Sequence, residues 1–169
     1  MTAQQRRQQI IAILTKATGP VSASALAGQL GVSRQIVVGD VALLRAGGEQ
    51  IVSTSRGYIM STNEGMVRQV VCQHSAGKTR QELYAMVDCG CTVLDVTVEH
   101  PVYGEITATL QLACRYDVDE FMEKMRLSEA QPLSLLTEGI HAHRLSLPDE
   151  GSFERVCRAL RDMGMLVED

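Results

Sequence analysis

Leu30-Gly31-Val32-Ser33-Arg34-Gln35-Ile36-Val37 decides how the N-terminal third of this chain is read. A glycine that stops one helix, followed by a serine placed to cap the next, is the signature of a helix-turn-helix. Working outward, Ser22 is placed to cap the preceding helix, Ala23 to Leu30, whose Leu26 and Leu30 share a side. An earlier helix is expected from Arg6 to Lys16, with Ile10, Ile11 and Leu14 at helical spacing before the Thr18-Gly19-Pro20 break. The third helix, Arg34 to about Ala46, turns Val37, Val41 and Leu44 inward and leaves Arg34, Gln35 and Val38 outward. After Gly47-Gly48, Ile51 to Thr54 and Tyr58 to Met60 read as two strands joined across Ser55-Arg56-Gly57. Three helices and a hairpin make a winged helix-turn-helix over residues 1–61.

That fold has an evident chemistry. The amino end of the third helix, with its free N–H groups and Ser33, suits a phosphate, and Arg34 and Gln35 reach base edges. Val38 shares their face, and Arg56 is expected at the wing tip, against phosphate or an adjacent groove. Gly39 stands mid-helix, where many DNA readers carry a long polar side chain. Charge agrees with a polyanion-binding head. Residues 1–60 hold six basic side chains (Arg6, Arg7, Lys16, Arg34, Arg45, Arg56) against Asp40 and Glu49, giving +4. The remaining ten basic and eighteen acidic residues give -8, and the two sum to the net -4. The alternative, a small helical module that touches only protein, leaves the +4 without a purpose.

Of the 169 residues, 45% are hydrophobic and 21% charged, which suits two small domains. The longest apolar run, Ile10 to Leu14, is far below the roughly 18 residues of a membrane span, and Met1 to Ile10 lacks the apolar core of a secretion signal. A cytoplasmic protein is expected. Five cysteines, an odd number, suggest reduced thiols, and Cys89-Gly90-Cys91 has no second pair to complete a zinc site. Six aromatics without tryptophan offer no stacking platform for single-stranded nucleic acid.

Beyond the Ser61-Thr62-Asn63-Glu64-Gly65 linker, residues 66–169 change character. Strands are expected at Met66–Gln73, Thr92–Glu99, Glu105–Cys114 and Ile140–Leu147. Helices are expected at Thr79–Asp88, from a cap at Asp117 to about Arg126, and at Gly151–Met163. This order favours an α+β domain, a mostly antiparallel sheet with helices on one face.

All four histidines lie in this half. His141 and His143, two apart on a strand, point to one face. His74 ends the first strand, and Glu82 sits in the first turn of the next helix. Three imidazoles and a carboxylate would form a site for a divalent transition metal, with Zn2+ and Ni2+ both suitable. A plainer reading stands beside it: Thr79-x-x-Glu82 is a capping box, and the histidines are solvated strand and loop residues. His100 opens His100-Pro101-Val102-Tyr103-Gly104, a turn between paired strands.

His100-Pro101-Val102-Tyr103-Gly104 after Asp95-Val96, together with Pro132-Leu133-Ser134-Leu135-Leu136-Thr137-Glu138-Gly139-Ile140-His141-Ala142-His143, resembles the 3H domain. A winged helix ahead of a 3H domain is the layout of the nicotinate-responsive repressors of NAD biosynthesis and niacin uptake genes, a likeness covering about Arg6 to Leu166. The resemblance implies an HPr-like α+β domain, a divalent metal on His74, Glu82, His141 and His143, and a homodimer on operator DNA. It also implies nicotinic acid as co-repressor, with His100 and Tyr103 as candidate contacts. Cys89-Gly90-Cys91 and Gly39 depart from the family pattern without touching those ligands. Two other functions stand beside it: a regulator that answers to the metal itself, and, less favoured, an enzyme with an N-terminal DNA-binding domain. Residues 61–169 contain no phosphate-cradling glycine loop, no H-E-x-x-H and no G-x-S-x-G.

Overall fold

The computed structural model describes residues 1–61 and 65–168, so the central residues 62–64 of the expected linker lie outside the described residues. The chain divides between residues 63 and 64 into two compact units.

In the first unit, α1 (Ala3–Lys16), α2 (Ala23–Leu30) and α3 (Arg34–Ala46) precede a hairpin of β1 (Ile51–Thr54) and β2 (Gly57–Met60). Helix α1 starts three residues before Arg6 because Thr2 and Gln5 form a reciprocal capping box. Ser22 and Ser33 each accept the backbone N–H three residues on, and Gly31 adopts the left-handed conformation that ends α2. Ile10, Leu26, Val37 and Val41 are fully buried at the centre of the core. Each such side chain contributes roughly 1.5 to 3 kcal/mol relative to exposure.

Polar contacts fix how α3 is held. Asp40, buried on α3, pairs with Arg6 at 2.5 Å and with Arg7 at 3.5 Å, both on α1. Arg45, at the end of α3, donates to the Ile51 carbonyl and the Ser53 hydroxyl. Val21 exchanges backbone hydrogen bonds with Tyr58, which ties the α1–α2 loop to the hairpin. Gly57 is required there, because a Cβ would strike the Val21 carbonyl.

The second unit contains β3 (Met66–Gln73), α4 (Thr79–Asp88), β4 (Thr92–His100), β5 (Gly104–Leu112), α5 (Arg115–Leu127), β6 (Ile140–Leu147) and α6 (Glu150–Asp162). Short 3₁₀ turns precede α4 and β6. The sheet order is β3-β6-β4-β5 and every pairing is antiparallel. On β6, alternation buries His141, His143, Leu145 and Leu147 on one face. The core continues through Leu83 and Met86 of α4, Val118 of α5, and Val156 and Leu160 of α6. Past α6 the chain returns to the edge of β3, where Gln73 donates to Met165 and Val167 to Val71.

One sequence expectation is corrected. Asp117 does not cap α5, which begins at Arg115 after Cys114; it lies in the first turn and accepts the Ala113 N–H at 2.9 Å. A carboxylate one turn in reaches back over the helix end as readily as one placed ahead of it.

Candidate metal centre and DNA-reading face

Glu82 occupies the end of the apolar stripe of α4, with Leu83, Met86 and Val87, and is 0% exposed. It does not close its helix, since no side chain caps the α4 N-terminus and Thr79 donates instead to the Ala76 carbonyl. A buried carboxylate needs compensation, which three imidazoles supply. His143 Nε2 lies 2.5 Å from Oε1, His141 Nε2 lies 2.8 Å from Oε2, and His74 Nε2 also meets Oε2. The donor atoms of His74, Glu82 and His141 lie within 4.8 Å of one another, and His143 adds its contact on the second carboxylate oxygen. The His74–His141 and His141–His143 rings pack edge to face, with centroids 4.9 and 5.0 Å apart.

The far side of each ring fixes where its Nδ1 hydrogen points. Nδ1 of His74 donates to the Ser75 carbonyl at 2.7 Å, that of His141 to Gly139 at 2.8 Å, and that of His143 to Asp95 at 2.7 Å. Carbonyl oxygens only accept, so all three Nδ1 atoms carry hydrogen. A neutral imidazole so fixed turns a lone pair at Nε2 toward an anionic carboxylate, which also only accepts. In that form a cation among the four would satisfy them all, and the donor set fits a divalent transition metal. Burial pushes the Glu82 carboxyl up, but the imidazoles of His143 and His141 outweigh it and hold it at about 2. For His143, burial works against the imidazolium, while Glu82 and the Asp95 carbonyl raise its pKa.

The loop before β6 places His74. Glu138 and Gly139 both have positive φ, and a Cβ on Gly139 would come 2.5 Å from the His74 carbonyl oxygen. Gly139 N–H donates back to Ser134 at 2.8 Å, closing the turn. Sequence reasoning missed Asp95. Its carbonyl orients His143, while its buried carboxylate pairs with Arg144 at 2.6 Å, pinning β4 to β6 behind the site. An acid within Val93-Leu94-Asp95-Val96 was the available signal.

His100 and Tyr103 lie elsewhere in the pattern of contacts. His100 Nδ1 accepts the N–H groups of Val102 and Tyr103, both at 3.1 Å, and its ring stacks on Tyr103 at 5.0 Å. This preforms the hairpin tip and leaves Val102 and Tyr103 79% and 78% exposed. These contacts of His100 and Tyr103 stay within the hairpin, whereas those of Glu82 go to His74, His141 and His143. Cys89-Gly90-Cys91 is the turn that ends α4; Gly90 has positive φ, and Cys91 enters the core with its thiol pushed by burial to about 11. All five cysteines are free.

In the first unit, Ser33, Arg34, Gln35 and Val38 are exposed together on α3. Ser33 Oγ accepts the Ile36 N–H at 3.3 Å, and its own O–H remains able to donate outward. Arg56 sits in the two-residue turn between β1 and β2, half-buried, with its backbone N–H on the Thr54 hydroxyl at 3.1 Å.

Residues 67–169 match the 3H domain family, and residues 6–59 match an HTH domain family. The chain is 38% identical over 169 residues to Transcription repressor NadR of Bacillus subtilis strain 168, covering 97% of this chain and 94% of that protein. It is 39% identical over 167 residues to Probable transcription repressor NiaR of Thermotoga maritima, covering 98% and 95% respectively.

Proposed function

The chain belongs to the 3H-domain family of DNA-binding transcription repressors, and from that premise we propose that it is a metal-containing repressor with nicotinic acid as co-repressor. Its targets are genes of NAD biosynthesis and niacin uptake, and it acts in the cytoplasm as a homodimer on operator DNA. The names of both relatives set aside the enzyme alternative.

The observation that carries the metal is the fixed tautomer of three imidazoles aimed at one buried carboxylate. His74, Glu82, His141 and His143 would hold one divalent ion, Ni2+ or Zn2+, per chain. Such an ion supplies a Lewis-acidic centre that a carboxylate or a pyridine nitrogen can ligate, and nicotinate carries both. The chain's own part is orientation: carbonyls of Ser75, Gly139 and Asp95 hold the rings, and burial excludes water. His100 and Tyr103 are the candidate ligand contacts on the hairpin tip. Operator contacts fall to Ser33, Arg34, Gln35 and Val38 on α3, with Arg56 as a candidate phosphate contact from the wing.

Two titrations test this. Nicotinate added to metal-loaded protein in a calorimeter should bind, and nicotinamide, which lacks the negative carboxylate, should bind much less. In a gel-shift titration nicotinate should tighten operator binding by about 5- to 150-fold, the usual range of allosteric coupling. Equal tightening in metal-stripped protein would make the metal structural. Tightening by metal alone, indifferent to nicotinate, would favour a metal-responsive regulator. Light scattering on the eluting peak tests the homodimer.

A further inference from the structure

The outward face of α3 is unusually bare for a helix that reads DNA. Val37, Asp40 and Val41 are its buried positions. At 100° per residue, the opposite arc holds Gln35, Gly39, Ala42 and Ala46, all exposed. Beyond Gln35, nothing on this arc is longer than a methyl group. Val38 borders it on one side at 38% exposure, and Ile36 and Leu43 on the other at 43% and 59%.

Gly39 is the second observation. A Cβ built there meets nothing within 4 Å, and its φ is not positive, so neither packing nor backbone within the unit requires glycine. Its cost in helix stability is therefore unrepaid inside the fold. A glycine at the centre of the exposed face removes the side chain that would hold the helix axis away from a partner.

The base edges of the major groove are lined with hydrogen-bonding atoms except at one group, the C5-methyl of thymine. A helix face of methyl-sized and branched aliphatic groups cannot donate or accept, but it packs on such methyls. We propose that α3 selects its operator by thymine methyl contacts. Val38 and Ala42 pack against C5-methyl groups, while Gly39 lets the helix seat deeply enough to reach them. Arg34 and Gln35, at the amino end, supply the hydrogen-bonded positions beside these thymines. This rests on the reading of the chain as an operator-binding repressor.

Operator sequences selected from a random duplex pool by the full-length, metal-loaded protein supply the probe. Each thymine in a half-site is then replaced by deoxyuridine, which deletes only the methyl, and affinity is read by fluorescence anisotropy. The expected result is about a fourfold loss per contacted methyl, the worth of one buried CH2 group. Val38→Ala should weaken binding to the thymine operator while leaving affinity for the matching deoxyuridine operator nearly unchanged. Circular dichroism checks that this variant, altered at an exposed position, remains helical. Deoxyuridine operators that bind as tightly as thymine ones, or Val38→Ala losses equal on both, overturn the methyl readout and leave the repressor intact. Selection that enriches no sequence overturns the repressor reading as well.

Discussion

The two units depart from ordinary burial in opposite directions. On α3, aliphatic side chains lie at the surface, with Ile36, Val38 and Leu43 outward beside Gly39 and Ala42. In the C-terminal unit the interior holds His141, His143 and Glu82 where a helix and a strand would ordinarily pack aliphatics. An inconsistency of this kind marks a partner, and its sign says where the partner sits. On the proposed reading, the first unit meets its partner outside its surface, and the second encloses its own. The costs differ too, because an exposed methyl group is nearly free whereas a buried carboxylate needs compensation at all times.

The comparison is most exposed to attack at the enclosed centre. His143→Ala should lower metal affinity by well over the roughly 10- to 100-fold that loss of an outer partner costs. Competition with a chromophoric chelator measures it, and an unchanged value would mean that His143 is not a ligand and that His74, Glu82 and His141 hold the ion alone. Gly139→Ala touches no ligand, yet its Cβ collides with the His74 carbonyl at a positive φ. It should cost about 2 to 3 kcal/mol of strain and reduce metal occupancy, read by thermal melting and elemental analysis. On the outer surface, Arg34→Ala should lose about 1 to 3 kcal/mol of operator affinity by anisotropy. Its metal content should match the unaltered protein, which keeps the two partners separable.

The smallest effect lies away from both partners. Asp149 caps α6, and the N–H and hydroxyl of Ser152 hold its carboxyl below the usual range. A lowered folded value means that this contribution is complete above the ordinary aspartate range and is lost as pH falls through the lowered one. Asp149→Asn retains a capping oxygen, so thermal melts should agree near neutral pH and diverge slightly as pH falls below the ordinary aspartate range.

What was legible in the sequence is what is decided locally. Ala23–Leu30 and Arg34–Ala46 keep their expected ends because a serine cap and a glycine stop act within one turn. Glu82 is the instructive exception. Thr79-x-x-Glu82 has the letters of a capping box, but α4 packs that glutamate inward, and the histidines of β6 outbid the helix end. The return of Met165–Val167 to β3 and the support Asp95 gives His143 join residues 48 or more positions apart. No window of sequence contains such pairs. The turn that carries Arg56 was legible in the same way, although a hairpin turn fixes where a residue lies and not how far it is buried.

The Asp40 clasp has a last consequence, for thermodynamics at a distance. Cationic proteins gain much of their hold on duplex DNA by releasing condensed counterions, and log K falls by about 0.9 per neutralised phosphate for each decade of salt. Arg6 and Arg7 are committed to Asp40, which is a third of the six cations in residues 1–60. Less counterion release is then left to this reader. Its grip on the operator should survive a rise in ionic strength that would strip a more basic protein from the same site.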